Sequence, residues 1–238
     1  MKRFRMKEDW DARARENPLW YIACDDADNE TVFQASGWRD AAILLDGLAP
    51  LLPGHERVLE IGCGIGRLLE HMAPQFRELF GVDISGEMVR KGRERLTHLP
   101  KVTLAEIDGE GNLPFEDGIF DFCYSFITFH HIPEKRIVIR YVEEARRVLR
   151  PGGIFRFHLF ARLEGAWQVV REKLTKKDTW RGCKFTVPEI TSVTQRAGFE
   201  VLEANLVDPF PGERRPFFGK NKPHAIWITA RTPGSPRR

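Results

Sequence analysis

Between residues 57 and 66 the chain reads RVLEIGCGIG, a short apolar run that breaks into three glycines at alternate positions. Five residues dominated by Val, Leu and Ile read as a strand buried on both faces. Glycines at 62, 64 and 66 let the backbone turn sharply and let a ligand lie against the main chain. Six more strand signals follow: ELFGVD (78–83), VTLAEI (102–107), IFDFCYSF (119–126), IFRFHLF (154–160), FEVLEANLV (199–207) and HAIWITAR (224–231). Helical segments separate them. One starts near Gly66. One is capped by Ser85, with Glu87 in its first turn. One spans 135–149 with Val138, Tyr141, Val142, Ala145, Val148 and Leu149 on one face, and Pro151-Gly152-Gly153 stops it. One opens on the capping box Thr186-Val187-Pro188-Glu189 and ends at Gly198. Strands alternating with helices predict an α/β doubly wound fold, a parallel sheet with helices on both faces. Ligands in such sheets bind beyond the carboxyl ends of the strands, so the chemistry is expected in the loops after strands one to four.

Residues 38–49 read as a further helix, with Ala41, Leu44, Leu45 and Leu48 at helical spacing and Pro50 and Pro53-Gly54 after it. The expected organisation is a cap over 1–37, one domain over 38–232 and a disordered tail over 233–238. Segments 161–185 and 208–223 lack regular periodicity. The cap carries Trp10, Trp20 and Tyr21, which could cover a bound ligand as a lid.

The net charge of +3 is too small to argue for a nucleic-acid partner. No apolar run approaches a membrane span, and MKRFRMKEDW has no apolar stretch behind it. The four cysteines, at 24, 63, 123 and 183, form neither a CxxC pair nor a zinc pattern. Reduced thiols, a cytoplasmic location and no metal are expected. The oligomeric state is not legible.

The loop Glu60-Ile61-Gly62-Cys63-Gly64-Ile65-Gly66 differs from the dinucleotide fingerprint GxGxxG, because its third glycine comes one position early. Glu60 would repel a pyrophosphate but suits a cationic ligand bearing sulfonium and ammonium groups. Asp83, ending the second strand, is placed to accept hydrogen bonds from both ribose hydroxyls. Asp108, after the third, is placed to accept one from the exocyclic amine of adenine. Arg67, at the start of the following helix, could meet a ligand carboxylate or face solvent.

In order along the chain, EIGCGIGR, GVDIS, AEIDGEGNLPFEDGIFDFCYSF and RVLRPGGIFRF resemble the successive motifs of class I S-adenosylmethionine-dependent methyltransferases, closest to the small-molecule ubiquinone/menaquinone type. The resemblance runs from about residue 55 to 160, with weaker likeness in FTVPEITSVTQRAGFEVLEA. It implies a seven-stranded, mostly parallel sheet whose last strand is antiparallel. It implies that S-adenosylmethionine is the cofactor and S-adenosylhomocysteine the product. The loop Gly62, Cys63, Gly64 and Gly66 would line the methionine part and Asp83 would hold the ribose. Ile84 and Met88 would pack on adenine, Asp108 and Gly109 would meet its edge, and Ser125-Phe126 would close the methionine end.

The loop after the fourth strand, where the methyl group must go, reads SFITFHHIP. It has no Asn/Asp-Pro-Pro-Tyr and no Pro-Cys, which sets aside adenine, glutamine and cytosine C5 as acceptors. A hydroxyl acceptor must lose a proton, and His130 and His131 are the candidate bases in this loop. Packing at a helix start is the alternative for both. The leading expectation is methyl transfer to an oxygen or nitrogen of a small molecule. The alternatives are an RNA methyltransferase, holding its strand with the basic cluster in 173–184 and with Arg214-Arg215 and Phe217-Phe218, and a non-catalytic cofactor-binding regulator.

Overall fold

The computed structural model describes residues 5–23, 29–162, 179–180, 182–207 and 225–234. Seven strands form one sheet: β1 (Arg57–Ile61), β2 (Glu78–Asp83), β3 (Val102–Glu106), β4 (Phe120–Ser125), β5 (Leu149–Phe160), β6 (Glu200–Val207) and β7 (Ala225–Arg231). Their order is β3-β2-β1-β4-β5-β7-β6. The first five pair in parallel, and β7 runs antiparallel to both β5 and β6. Strand order reverses between β1 and β4, so the crevice expected of a doubly wound sheet opens above their carboxyl ends.

Around the sheet lie α1 (Met6–Glu16), α2 (Pro18–Ala23), α3 (Glu30–Leu45), α4 (Arg67–Met72), α5 (Gly86–Arg95), α6 (Lys135–Val148) and α7 (Val187–Arg196). Alternation along the strands divides the interior into two cores. Val58, Phe122, Tyr124 and Ile154 pack with Ala41 and Leu44 of α3, Leu68, Leu69 and Met72 of α4, and Val89 of α5. Leu59, Ile61, Cys123, Phe155 and Phe157 pack with Ile137, Tyr141 and Val148 of α6 and Ile190 and Val193 of α7. A small third cluster joins the cap to the glycine loop through Ala14, Ala23, Phe33, Ile65 and Met88.

The helix expected over 38–49 instead begins at Glu30 and ends at Leu45, so it crosses the expected cap boundary. Asn29 caps it, its side chain accepting from the N–H groups of Thr31 at 3.0 Å and Val32 at 3.4 Å. Its inner face includes Ser36, Gly37 and Asp40, which hide the apolar period. The helix of 135–149 stops at Val148, and β5 already begins at Leu149. The capping box at Thr186 is present in both directions. Cys63, Cys123 and Cys183 are buried; Cys24 lies outside the described residues. So do residues 208–223, the tail from 235 on and most of 161–185. Among the described residues, no helix is long and apolar enough to cross a membrane.

Phe122 is fully buried and its ring lies between those of Phe76 (6.1 Å) and Tyr124 (5.4 Å). Phe122→Ala leaves a cavity in the core under α4 and should cost about 3–5 kcal/mol, measured by urea unfolding.

Candidate active site

A cleft of about 910 Å³, counting its open mouth, lies above the carboxyl ends of β1, β2 and β4. Its floor is the glycine loop. The N–H groups of Gly62 and Cys63 both donate to the Val82 carbonyl, at 2.7 and 3.0 Å, which folds the loop back over β2. Gly62, Gly64 and Gly66 have φ of 82°, 53° and 81°, the left-handed region that glycine enters freely. Side chains are also excluded by space, since a Cβ on Gly62 would lie 2.2 Å from the Thr128 side chain.

Of the residues singled out from the sequence, the structure brings Glu60, Gly62, Cys63, Gly64, Arg67, Asp83, Ile84, Met88, Gly109, Phe126 and His131 to the cleft wall. Gly66, Asp108, Ser125 and His130 do not line it. Gly66 is instead the N-cap of α4, packed so tightly on Leu96 that a Cβ would sit 2.4 Å from that side chain. Asp108 points outward, and its carboxylate accepts from the Glu110 N–H at 2.8 Å and the Asn112 amide at 2.7 Å. It serves its own turn. Ser125 is buried behind the wall, its hydroxyl donating to the Ile61 carbonyl at 3.0 Å. His130 is buried as well, its ring stacked on Phe160 at 4.1 Å, and among the described residues its Nδ1 has no hydrogen-bond partner. Burial and the neighbouring His131 push its pKa well below the usual histidine value. Of the two adjacent histidines, His131 is the one at the cleft.

His131 lies in the short 3₁₀ turn Phe129–His131, at the cleft. Its Nδ1 is 2.9 Å from the Trp180 carbonyl oxygen. A carbonyl only accepts, so Nδ1 carries the proton and Nε2 is the basic nitrogen.

Two carboxylates shape the electrostatics. Asp83 accepts from the Gly64 N–H through Oδ2 (2.8 Å) and from the Ser85 N–H through Oδ1 (2.9 Å). Desolvation pushes its pKa up to about 6 against these bonds. Glu60 is 3% exposed and accepts from the Tyr124 hydroxyl at 3.1 Å. Burial pushes its pKa up to about 8, opposed by that bond and by Arg67. Arg67 does not face solvent. It is buried, its Nη1 donating to Asp40 at 2.8 Å and to Ser36 at 3.1 Å. Among the described residues its Nε has no partner.

The cap supplies a wall that sequence reasoning located only in outline. Trp10 and Tyr21 line the cleft, as do Met6 and Ile22; Trp20 stands behind, stacked on Trp180 at 6.0 Å. Trp10 meets His131 edge-on at 4.9 Å. The wall is pinned by Asp11, which accepts from the Ser85 hydroxyl (2.7 Å) and the Glu87 N–H (3.2 Å). Burial works to raise the Asp11 pKa, but these bonds and Lys7 prevail and hold it below the usual range. Ile61, Leu68, Ile107, Ile127, Thr128, Ile132 and Tyr141 complete the lining. Nothing in the pattern separated them from core residues, because they are core residues at their buried ends.

A family described as a methyltransferase domain matches residues 59–157. The malonyl-[acyl-carrier protein] O-methyltransferase of Geobacter sulfurreducens is 30% identical over 155 residues, 62% of this chain and 57% of the relative. The 27-O-demethylrifamycin SV methyltransferase of Amycolatopsis mediterranei is 35% identical over 112 residues, 46% of this chain and 40% of the relative. The chain thus spans about half the length of these curated relatives. In fold it is similar to a phosphoethanolamine N-methyltransferase of Haemonchus contortus solved with S-adenosylhomocysteine. That match has a TM-score of 0.64 and 19% identity, over 83% of this chain and 54% of the other.

The proton on Glu60 makes stability depend on pH. The folded protein keeps that proton up to about pH 8, whereas the unfolded chain releases it near 4.5. The folded state then binds more protons between these values, so stability falls as pH rises through the window. Glu60→Gln should flatten this slope, measured by urea unfolding at about pH 5.5 and about pH 8.

Proposed function

We propose that this chain is a class I S-adenosylmethionine-dependent methyltransferase and that it transfers the cofactor's methyl group to a hydroxyl oxygen of an apolar small molecule. The observation that carries the acceptor half is His131, a cleft histidine whose Nδ1 is committed to the Trp180 carbonyl. Trp10 meets its ring edge-on, and Ile127, Thr128 and Ile132 of the same loop also line the cleft. Such a wall suits an uncharged, largely apolar acceptor. The relatives agree with oxygen: one is an O-methyltransferase by name, and the other's substrate is a 27-O-demethyl compound. Among the described residues nothing favours RNA. The segments expected to hold a strand lie outside them, apart from Lys184. A cleft open as far as His131 argues against a non-catalytic regulator.

The residues present fit the cofactor. When bound, S-adenosylmethionine supplies a methyl group already activated by its sulfonium. Glu60, whose burial favours the protonated form, would be drawn into its ionised form by a cation placed beside it and would so provide the countercharge for the amino acid end. The Arg67 guanidinium, with an unpaired Nε at the same end, suits the carboxylate. Each Asp83 oxygen accepts one N–H and keeps capacity for a ribose hydroxyl. Ile84, Met88 and Ile107 offer apolar surface to a purine. At the far end His131 Nε2 takes the proton as the acceptor oxygen forms its new bond to carbon. Most of the acceleration comes from holding the two reactants in line.

Asp83→Ala should weaken S-adenosylhomocysteine binding at least ten-fold by calorimetry, since each charge-assisted bond is worth about 1.5–3 kcal/mol. Unchanged affinity would remove Asp83 from the ribose. His131→Ala should leave that affinity intact and lower turnover by about 10²–10⁴. Turnover is read on an acceptor found by mass spectrometry as a methylated product in a metabolite screen. Full turnover in His131→Ala would assign the proton to another group.

A further inference from the structure

Among the described residues Ile127 is the one non-glycine with positive φ, at 54°. A β-branched side chain in that region is a true outlier and must be held there. Ile127 sits between Phe126 and Thr128 in the loop after β4, and all three line the cleft. The hold comes from β5, where the Ile127 N–H donates to His158 Nδ1 at 3.2 Å. His158 is 2% exposed, its ring nearly parallel to Phe126 (4.8 Å, 8°) and 5.3 Å from Trp227. Since Nδ1 accepts, the ring proton resides on Nε2. Burial holds the pKa down to about 4, so the accepting form persists through the neutral range. The rest of the loop is strapped from the same point. The Thr128 hydroxyl bonds to the carbonyls of Gly62 (3.2 Å) and Phe126 (3.1 Å), and the His131 N–H returns to the Thr128 carbonyl at 2.9 Å.

We propose that His158 is a positioning residue for the acceptor end of the cleft. Its Nδ1 locks Ile127 in the left-handed conformation and so sets where Phe126, Thr128 and His131 stand relative to the glycine loop. The catalytic consequence rests on the methyl-transfer reading; the conformational one does not.

Two variants separate positioning from packing. His158→Phe keeps a ring of similar size for Phe126 and Trp227 but has no acceptor. His158→Asn gives up the ring yet carries an oxygen at the branch point where Nδ1 stood. If His158 only fills space, Phe is the better replacement; if it holds Ile127, Asn is. Amide hydrogen exchange of the full chain should show Ile127 deprotected by about ten-fold in His158→Phe, the scale of one hydrogen bond. Phe157 and Leu159 should keep their protection in that variant. His158→Asn should restore Ile127. Methyl-transfer rates should follow the same order, with S-adenosylhomocysteine affinity unchanged in both. Wild-type protection and rate in His158→Phe would overturn the proposal, as would a His158→Asn variant worse than His158→Phe. Exchange in the expected order with no methyl transfer, even by the wild type, would refute the reaction and leave the positioning role standing.

Discussion

The ends of β1 and β2 are joined by one carboxylate–amide bond, from the Gly64 N–H to Asp83 Oδ2 at 2.8 Å. Strand register puts Ile61 beside Val82, so the first residues past β1 meet the last residues of β2. The Val82 carbonyl takes two loop amides and Asp83 takes a third, leaving the glycine loop one path to follow. On that path three residues need positive φ, and the chain has glycine at each. Because α4 begins at Gly66 and α5 is capped by Ser85, the same few bonds aim two helices as well as shape the cleft floor.

Directly beneath lies an expensive arrangement. Glu60 with Tyr124, and Arg67 with Asp40 and Ser36, are buried polar groups that an apolar core would not need. Burying such groups is weak evidence for stability, since desolvation offsets much of what pairing returns. Their value is in being fixed before a ligand arrives, so that little reorganisation is needed on binding. The surface pairs of α5, such as Arg90 with Glu87 and Glu94, are the opposite case: they lie in solvent, which screens them, and add little.

The strands were legible because each is an apolar run bounded by turn residues, and Glu60 and Asp83 were legible because they end strands. What the linear pattern hides is which side of a turn a residue faces. Asp108 has the right chemistry at the right strand end, yet its carboxylate bonds within its own loop and does not line the cleft. Of two adjacent histidines, the short 3₁₀ turn sends one to the cleft and one under Phe160. The start of α3 was obscured for a related reason. Its inner face carries Gly37, where a Cβ would come within 2.7 Å of His71, and Asp40, the partner of Arg67. An apolar period cannot reveal a helix packed through a small residue and an ion pair. Trp180 belongs to no periodic segment, yet it meets His131 both through its ring at 5.0 Å and through its backbone carbonyl.

One topological detail bears on how the molecule is made. β7 is the last strand in the chain but lies between β5 and β6, bonded to both. During synthesis the first five strands can assemble as they emerge. β6 must then wait without a neighbour until residues 225–231 leave the ribosome tunnel, and one edge of β5, with Phe155 and Phe157 in its core, waits with it. Domains that gather long-range strand pairs late fold slowly and expose sticky edges meanwhile. The nascent chain is thus at risk of aggregation in the interval between the emergence of β6 and that of β7, after the cleft between β1 and β4 already exists. A ligand captured there early would steady the half-built sheet while its last strand arrives.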